Sequence, residues 1–244
     1  MAATVVIPAR LGSTRFPGKI LACQSGRPLV QHVVDQARKC LRVREIIVAA
    51  DDVTIAEALA KFETRVVMTD PAHPSGTDRI AEVARGLSDD IIVNVQGDEP
   101  EIDPAVIDAL IERLETSDDD MATAATPFPS DADVADPNLV KVVRALDGRA
   151  MYFSRSAVPF WRDATAGTEP SYYLHLGIYA YRRPFLLEFA GWRPTPCEQA
   201  ERLEQLRALE HGKSIYVLET QRRTHGIDTP EQYAAFVRRV GGRQ

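Results

Sequence analysis

The chain begins with an apolar segment that leads into a basic loop, and residues 4–19 read Thr-Val-Val-Ile-Pro-Ala-Arg-Leu-Gly-Ser-Thr-Arg-Phe-Pro-Gly-Lys. A short apolar run of this kind is typical of a buried strand, which we expect over Thr4 to Ile7. The loop at residues 8–19 holds three cations, two glycines and two prolines. A buried strand that opens into a polar loop before a helix is the first unit of a parallel α/β fold.

Strands and helices continue to alternate through the first half of the chain. Apolar spacing predicts a helix over Pro28 to Cys40, a strand over Glu45 to Ala50, a helix over Val53 to Phe62, a strand over Arg65 to Met68, a helix over Asp78 to Gly86, a strand over Ile91 to Val95 and a helix over Pro104 to Leu114. This order indicates an α/β fold with a mostly parallel, Rossmann-like sheet and helices on both faces. Ligands of such sheets bind beyond the carboxyl ends of the strands.

The pattern changes after Thr116, where prolines separate short apolar segments. Strands are predicted over Met121 to Thr126, Val140 to Arg144 and His175 to Arg182, followed by a helix over residues 198–211, a strand over Ile215 to Leu218 and a helix over Pro230 to Val240. We therefore expect an α/β core made of residues 1–120 and 196–244, with an inserted, partly antiparallel smaller domain at residues 121–195.

Composition excludes several classes of protein. Of 244 residues, 29 are Lys or Arg and 35 are Asp or Glu, so the net charge is −6, and 45% of residues are hydrophobic. These values are typical of a globular protein and not of a disordered or fibrous one. No apolar run approaches the ~18 to 20 residues that span a bilayer, and we expect a cytoplasmic protein with no membrane partner. Net acidity without a basic tract argues against nucleic-acid binding.

Three cysteines, Cys23, Cys40 and Cys197, form no Cys-x-x-Cys pair. An odd number of cysteines without metal-ligand spacing predicts neither a disulfide framework nor a zinc site.

The basic loop is suited to a polyphosphate. Arg10 and Arg15 offer planar forks of donors, Lys19 offers a point charge, and glycines let backbone N–H groups approach anionic oxygens. The loop is not a Walker P-loop, because Ile20 follows Lys19 where Ser or Thr is required, and it contains no Gly-x-Gly-x-x-Gly. The alternative is an ordinary solvated basic loop.

Two aspartates are candidate metal ligands. Asp98 ends the polar turn Gln96-Gly97-Asp98 after a predicted strand, and Asp228 precedes the last predicted helix. Mg²⁺ takes few protein carboxylates and shares its remaining positions with phosphate and water, which suits a carboxylate opposite the basic loop. The alternatives are that Asp98 caps a turn and that Asp228 is a helix N-cap.

A compact turn, His73-Pro74-Ser75-Gly76-Thr77-Asp78-Arg79, precedes another predicted helix. Free N–H groups at a helix N-terminus suit a base edge or a phosphate, whereas Ser75 or Thr77 is equally suited to capping the helix.

Several strings in the same order resemble one family, the 3-deoxy-manno-octulosonate cytidylyltransferases or CMP-Kdo synthetases, from about Val5 to Tyr233. The strings are Val6 to Lys19, Ser75 to Arg79, Val93 to Pro100, Asn138 to Val143, Tyr152 to Ser156, His175 to Arg182, Leu203 to Arg207 and Gly226 to Pro230. The phosphate-loop string is shared by many sugar nucleotidyltransferases. The strings His-Leu-Gly-Ile-Tyr and Leu-Glu-Gln-Leu-Arg narrow the resemblance to this family.

The resemblance implies that the protein transfers CMP from CTP to the anomeric hydroxyl of the acid sugar Kdo, with Mg²⁺, release of pyrophosphate and a product used in lipopolysaccharide biosynthesis. It assigns catalysis to Lys19, Asp98 and Asp228, and the metal to Asp98 and Asp228. It assigns nucleotide binding to Arg10, Arg15, Lys19, Ser75, Thr77 and Arg79. It assigns sugar binding to Gln96, Arg162, His175, Tyr179, Glu204 and Gln205. It also implies a homodimer that pairs through the inserted region.

Alternatives remain at several of these positions. Glu204 and Gln205 also fit a helix surface, and Tyr179 fits an ordinary strand aromatic. Arg162 follows Pro159-Phe160-Trp161, where the family more often has Pro-Trp-Asp before its arginine. The acceptor alternatives are 8-amino-Kdo and a nine-carbon sialic-type acid, and the alternative to an enzyme is a protein that binds CTP without turnover.

Overall fold

The computed structural model describes residues 2–162, 171–223 and 226–241, which form nine strands and eight α-helices. The strands are β1 Ala3–Ala9, β2 Val43–Ala50, β3 Arg65–Met68, β4 Ile91–Asn94, β5 Met121–Pro127, β6 Lys141–Arg144, β7 Ala150–Ser154, β8 Tyr173–Arg182 and β9 Ile215–Glu219. The helices are α1 Leu29–Ala37, α2 Val53–Leu59, α3 Gly76–Arg85, α4 Pro104–Thr116, α5 Arg183–Ala190, α6 Pro196–Glu201, α7 Gln205–Glu210 and α8 Pro230–Gly241. Short 3₁₀ turns lie at Lys19–Leu21 and Ala60–Phe62.

The strands form one sheet in the order β3-β2-β1-β4-β8-β5-β9. The β1 strand is parallel to β2 and β4, β2 to β3 and β5 to β9, while β8 runs antiparallel to β4 and β5. An antiparallel hairpin of β6 and β7 joins the sheet at β8. The predicted α/β class with a mostly parallel sheet and a partly antiparallel portion is confirmed.

Alternate residues of β1 explain why helices cover both faces. Val5 and Ile7 pack into a cluster with residues of α1, α2 and α4, whereas Val6 packs into a second cluster with residues of α3, α5 and α7. Side chains of successive strand residues point to opposite faces, so an all-apolar strand requires a core on each side. The last helix, α8, adds a smaller cluster in which Tyr233 and Phe236 meet Leu29.

The predicted helix over residues 198–211 is wrong in one respect, because two short helices, α6 and α7, occupy that segment. Arg202 has a left-handed backbone, with φ 54°, and ends α6. A buried ion pair crosses the break: Arg207 donates to Glu198 over 2.8 Å through Nε and 2.5 Å through Nη2. Two elements were not predicted, β7 and α5.

Strands β5 and β8 of the predicted inserted region lie within the central sheet, and the β6–β7 hairpin of that region is joined to the sheet through β8. The division into a core of residues 1–120 and 196–244 and an inserted domain at residues 121–195 stays a prediction. Across residues 2–162, 171–223 and 226–241, the helices are all too short or too polar to cross a membrane.

Candidate active site

A cleft of about 370 Å³ lies where the parallel strands end. Its walls are the loop after β1, the turn after β4, the start of α3 and the segment before α8. The predicted residues that line it are Arg10, Arg15, Lys19, Ser75, Arg79, Gln96, Asp98, Glu204 and Asp228.

Lys19 joins the two predicted metal carboxylates. Its Nζ donates to Asp98 Oδ2 in a short contact, to Asp228 Oδ1 at 2.9 Å and to the Ile227 carbonyl at 3.1 Å. Burial alone lowers the pKa of Lys19, but the two carboxylates outweigh burial and raise it above its ordinary value. Asp98 and Asp228 therefore hold one cation between them in this structure.

Backbone contacts bring these distant aspartates together. The Ile227 N–H donates to the Asp98 carbonyl over 2.9 Å, which ties the segment before α8 to the turn after β4. That turn lies so close to β1 that a Cβ at Gly97 would stand 2.9 Å from the Pro8 carbonyl oxygen. Only a residue without a side chain fits there without displacing backbone.

The N-cap alternative for Asp228 is not what the structure shows. The hydroxyl of Thr229 accepts from the Gln232 N–H at 3.3 Å, in the manner of a cap. The Asp228 side chain instead meets Lys19 and Arg15, the latter at 3.1 Å.

The donor set at this position fits Mg²⁺. Two carboxylates of separate segments already converge on a single cationic atom, and their oxygens are the hard ligands that Mg²⁺ prefers. Mg²⁺ binds through one or two carboxylates when substrate phosphates supply further oxygens, so Asp98 and Asp228 suffice.

The loop after β1 carries its arginines outward at the mouth of the cleft. Arg10 is exposed, and 68% of the Arg15 side chain is accessible to solvent. The loop is anchored at its start, where the Leu11 N–H donates to Asp51 at 3.0 Å. Exposed cations on an anchored loop are free to meet the oxygens of a polyphosphate.

The start of α3 combines capping with binding geometry. Ser75 is the N-cap of α3: its hydroxyl accepts from the Asp78 N–H at 3.1 Å and donates to the Asp78 carboxylate at 2.7 Å. Arg79 is buried and donates to Thr69 Oγ1, and it lies 3.7 Å from Asp51. Arg79 therefore braces the ends of β2 and β3 while it forms part of the cleft wall.

A second pocket of about 270 Å³ adjoins the first, since Gly76, Gln96 and Glu204 line both. Its other lining residues are Thr77, Asn94, Tyr179, Tyr181, Phe189, Arg202, Leu203 and Gln205. Thus four predicted sugar residues, Gln96, Tyr179, Glu204 and Gln205, come together here, with Thr77 from the predicted nucleotide set.

Glu204 lies at the junction of the two pockets. Burial raises its pKa, and a hydrogen bond from the Thr77 hydroxyl, 2.6 Å long, opposes that rise. Burial also raises the pKa of Tyr179 well above its ordinary value, so Tyr179 keeps its proton and can donate. A carboxylate and a phenol that line one pocket are suited to hydroxyl groups of a ligand.

Two predicted sugar residues line neither pocket. Arg162 is exposed at the end of the first described range. His175 packs edge-on against Phe153 and hydrogen-bonds the Thr123 hydroxyl at 3.0 Å. Burial lowers the pKa of His175 to about 3, so the ring is neutral at physiological pH.

Arg202, His73 and Asn94 are among the pocket-lining residues to which the sequence assigned no individual role. Arg202 reaches the second pocket because the helix breaks there, and continuous helical spacing concealed that break. His73 lines the cleft and bonds Glu82 through Nε2. Asn94 could have been recognised from the sequence, because it is the only polar residue of the run Ile91 to Val95.

Comparison with known proteins agrees with this geometry. Residues 4–215 match a family model described as cytidylyltransferase. The 3-deoxy-manno-octulosonate cytidylyltransferase of Geobacter sulfurreducens is 50% identical over 236 residues, which cover 93% of this chain and 94% of that protein. The namesake from Geotalea daltonii is 48% identical and covers 100% of both chains.

A solved structure of CMP:2-keto-3-deoxy-manno-octonic acid synthetase complexed with CTP superposes with a TM-score of 0.93 and is 38% identical, with 100% of both chains covered. The family predicted from the motifs is thereby confirmed: the chain belongs to the cytidylyltransferases, and among them to the 3-deoxy-manno-octulosonate cytidylyltransferase family.

Proposed function

We propose that this protein transfers CMP from CTP to the anomeric hydroxyl of Kdo, releasing pyrophosphate and forming CMP-Kdo for lipopolysaccharide biosynthesis. The observation that carries the proposal is the convergence of Asp98 and Asp228 opposite a basic loop, in a cleft that opens into a second polar pocket. The names of the relatives at 48% to 50% identity support the same activity.

The first cleft binds the nucleotide in this proposal. Arg10, Arg15 and Lys19 contact the triphosphate, and their positive charge offsets the charge that builds up on the leaving pyrophosphate. Ser75 and Arg79 form the wall of this cleft against which the cytidine lies. Thr77, the third residue predicted there, lines the second pocket, and its hydroxyl donates to Glu204 at the junction of the two pockets. Because little covalent chemistry falls to the protein in such transfers, positioning and charge stabilisation supply most of the rate.

Asp98 and Asp228 hold the divalent metal, for which we propose Mg²⁺. The metal supplies Lewis-acid stabilisation of phosphate charge when it is bound. Lys19 keeps the two carboxylates close together in the nucleotide-free protein, where their mutual repulsion would otherwise separate them.

The second pocket binds the acceptor. Gln96, Glu204, Gln205 and Tyr179 orient its hydroxyl groups so that the anomeric oxygen faces the α-phosphorus. The new oxygen–phosphorus bond forms as the bond to the β-phosphate breaks, pyrophosphate leaves and the hydroxyl proton is released. His175 is neutral and acts through packing behind Tyr179, whose ring centroid lies 5.5 Å away.

The carboxylate of the acceptor requires a cation, and two arginines compete for that role. The family resemblance favours Arg162, whereas the geometry favours Arg202, which lines the second pocket. We expect Arg202→Gln to raise the KM for Kdo about 10-fold, as the loss of one charged hydrogen bond does. Arg162→Gln is the matched variant, and a larger effect there would assign the carboxylate to Arg162.

We also propose that the protein is cytoplasmic and forms a homodimer through residues 121–195. Two apolar side chains on or beside the β6–β7 hairpin, Leu146 and Met151, are exposed in the single chain. Apolar surface of this kind suits a two-fold interface. Light scattering after size-exclusion chromatography measures the mass, and a monomer at micromolar concentration would refute the dimer.

The test of the main proposal is pyrophosphate release with each of the four nucleoside triphosphates, with and without Kdo and Mg²⁺. We expect turnover only with CTP, Kdo and the metal together. Release that does not depend on CTP or on Kdo would overturn the proposal, and CTP binding without turnover would make the protein a nucleotide-binding module. Competition between Kdo and 8-amino-Kdo in the same assay identifies the preferred acceptor.

A further inference from the structure

Two side-chain amides in the wall of the second pocket have unused hydrogen-bonding atoms. Asn94, the last residue of β4, is 3% exposed, and Gln205, the first residue of α7, is 4% exposed. Asn94 Oδ1 and Gln205 Nε2 are buried and have no hydrogen-bond partner among the residues that the structure describes. Both residues line the second pocket.

The fold does not require an asparagine at position 94. The residues before it in β4, Ile91 to Val93, are apolar and fully buried. The backbone pairing of Asn94, to Val6 on one side and to Tyr179 on the other, is available to any residue. An aliphatic side chain would continue the apolar pattern, whereas a buried amide without a partner destabilises the folded protein.

The two unused atoms are chemically complementary to a hydroxyl group. Asn94 Oδ1 accepts a hydrogen bond and Gln205 Nε2 donates one, and a hydroxyl group can both donate and accept. Turning the Asn94 amide by 180° would offer Nδ2 instead, from which a hydroxyl oxygen accepts equally well. A polyol is therefore a fitting ligand for this wall.

We propose that Asn94 is a specificity-determining residue for the acceptor, whose carboxamide hydrogen-bonds one hydroxyl group of the sugar acid beside Gln205. This inference rests on the proposed function, because it takes the sugar acid to be the occupant of the second pocket. A pocket with a buried amide discriminates against an acceptor that lacks the matching hydroxyl, since the amide is then left without a partner.

The first measurement compares steady-state constants of wild type and Asn94→Leu, which replaces the amide by an apolar side chain of similar size. We expect the KM for Kdo to rise about 10-fold while the KM for CTP is unchanged. Gln31→Leu is the matched control, because Gln31 is a fully buried amide in α1 that lines neither pocket. The control is expected to lower the melting temperature and leave both KM values unchanged.

The second measurement is a double-mutant type of thermodynamic cycle, in which wild type and Asn94→Leu are each assayed with Kdo and with analogues that lack one hydroxyl group. For one analogue, wild type should lose about 10-fold in kcat/KM relative to Kdo, and Asn94→Leu should show no such loss. If Asn94→Leu does not fold, Asn94→Ser takes its place, because a hydroxymethyl group is too short to reach the same ligand atom.

The inference is overturned if, for every analogue, the loss of kcat/KM caused by Asn94→Leu and the loss caused by removing the hydroxyl group simply add. It is also overturned if Asn94→Leu raises the KM for CTP as much as the KM for Kdo. If Asn94→Leu lowers the stability of the protein and leaves the KM for Kdo unchanged, the inference is also wrong, and the Asn94 carboxamide holds a bound water instead. Wild-type turnover of CTP with Kdo is measured first, so that failure of the proposed function is distinguished from failure of this inference.

Discussion

Removal of the Lys19 ammonium should destabilise the nucleotide-free protein, because Asp98 and Asp228 would then lose the cation that joins them, and only the exposed Arg15 would remain beside Asp228. We expect Lys19→Met to show this effect most clearly, since the methionine keeps the length of the side chain and loses only its charge and donors. Lys19 is 13% exposed in its side chain, and both of its carboxylate partners come from other segments of the chain.

The magnitude follows from the distances. Two unit charges 2.9 Å apart, as for Lys19 and Asp228, interact by about 1.4 kcal/mol in a medium of water-like dielectric constant and by about 6 kcal/mol at an effective constant of 20. The Asp228 side chain is 38% exposed and that of Asp98 is 25% exposed, so solvent screening favours the lower end. Loss of both pairs should therefore cost about 2 to 3 kcal/mol.

In a chain of 244 residues this loss lowers the melting temperature by about 5 to 10 °C. Thermal unfolding in EDTA measures it, with Lys39→Met as the control, because the Lys39 ammonium is exposed and bonds only Gln36 among the described residues. Millimolar Mg²⁺ should raise the melting temperature of Lys19→Met more than that of wild type, since the two carboxylates are then free for the metal.

A double variant tests the electrostatic cause. Adding Asp98→Asn to Lys19→Met removes one of the two facing charges and should recover part of the lost stability. The reasoning is refuted if Lys19→Met melts at the wild-type temperature in EDTA, or if the double variant is less stable than Lys19→Met.

Two further predictions concern the same site, and a third concerns His175, which lines neither pocket. Gly97→Ala should lower kcat at least about tenfold, because its methyl group meets the Pro8 carbonyl oxygen and displaces the turn that carries Asp98. Gly241→Ala is the control in the pyrophosphate assay, because Gly241 has open space around its Cβ and lines neither pocket. Asp98→Asn should reduce turnover about 100-fold or more with Mg²⁺, and near-wild-type kcat would remove Asp98 from the metal site. Burial lowers the pKa of folded His175 from 6.5 to about 3, so between these pH values the unfolded state binds a proton that the folded state does not, and the contribution of His175 to stability should fall by up to about 1.4 kcal/mol per pH unit as the pH drops. Urea unfolding at pH 7, 6 and 5 should show this slope reduced in His175→Gln, and an unchanged slope would contradict the buried neutral ring.

Apolar periodicity was sufficient to predict the parallel half of the fold. The predicted strand over Arg65 to Met68 coincides with β3, and the helix predicted to start at Pro104 does start there, capped by the Asp103 carboxylate 3.0 Å from the Ala105 N–H. In this half, the apolar spacing within each segment is enough to identify that segment as a strand or a helix. Neighbouring elements then pack according to simple rules of handedness and burial.

Long-range contacts were not predictable in the same way. The left-handed residue that ends α6 is Arg202, where glycine is the usual signal, so regular apolar spacing extended the helix through the break. The convergence of Asp98 with Asp228 depends on a backbone hydrogen bond between two loops, which no local pattern encodes. The resemblance to the family predicted that convergence. That Asn94 and Arg202 line the second pocket could be learned only from the structure.

The break between α6 and α7 separates residues that line a pocket from residues that hold the two helices together. Residues that follow it, Leu203 to Gln205, line the second pocket, while the Glu198–Arg207 ion pair joins the two helices from outside that pocket. Under the proposed function, substitutions at Leu203 and Gln205, which line the second pocket and not the first cleft, should alter which acceptor fits and leave the first cleft in place. To engineer a cytidylyltransferase that accepts a new acid sugar, the segment at this break is therefore the first to randomise.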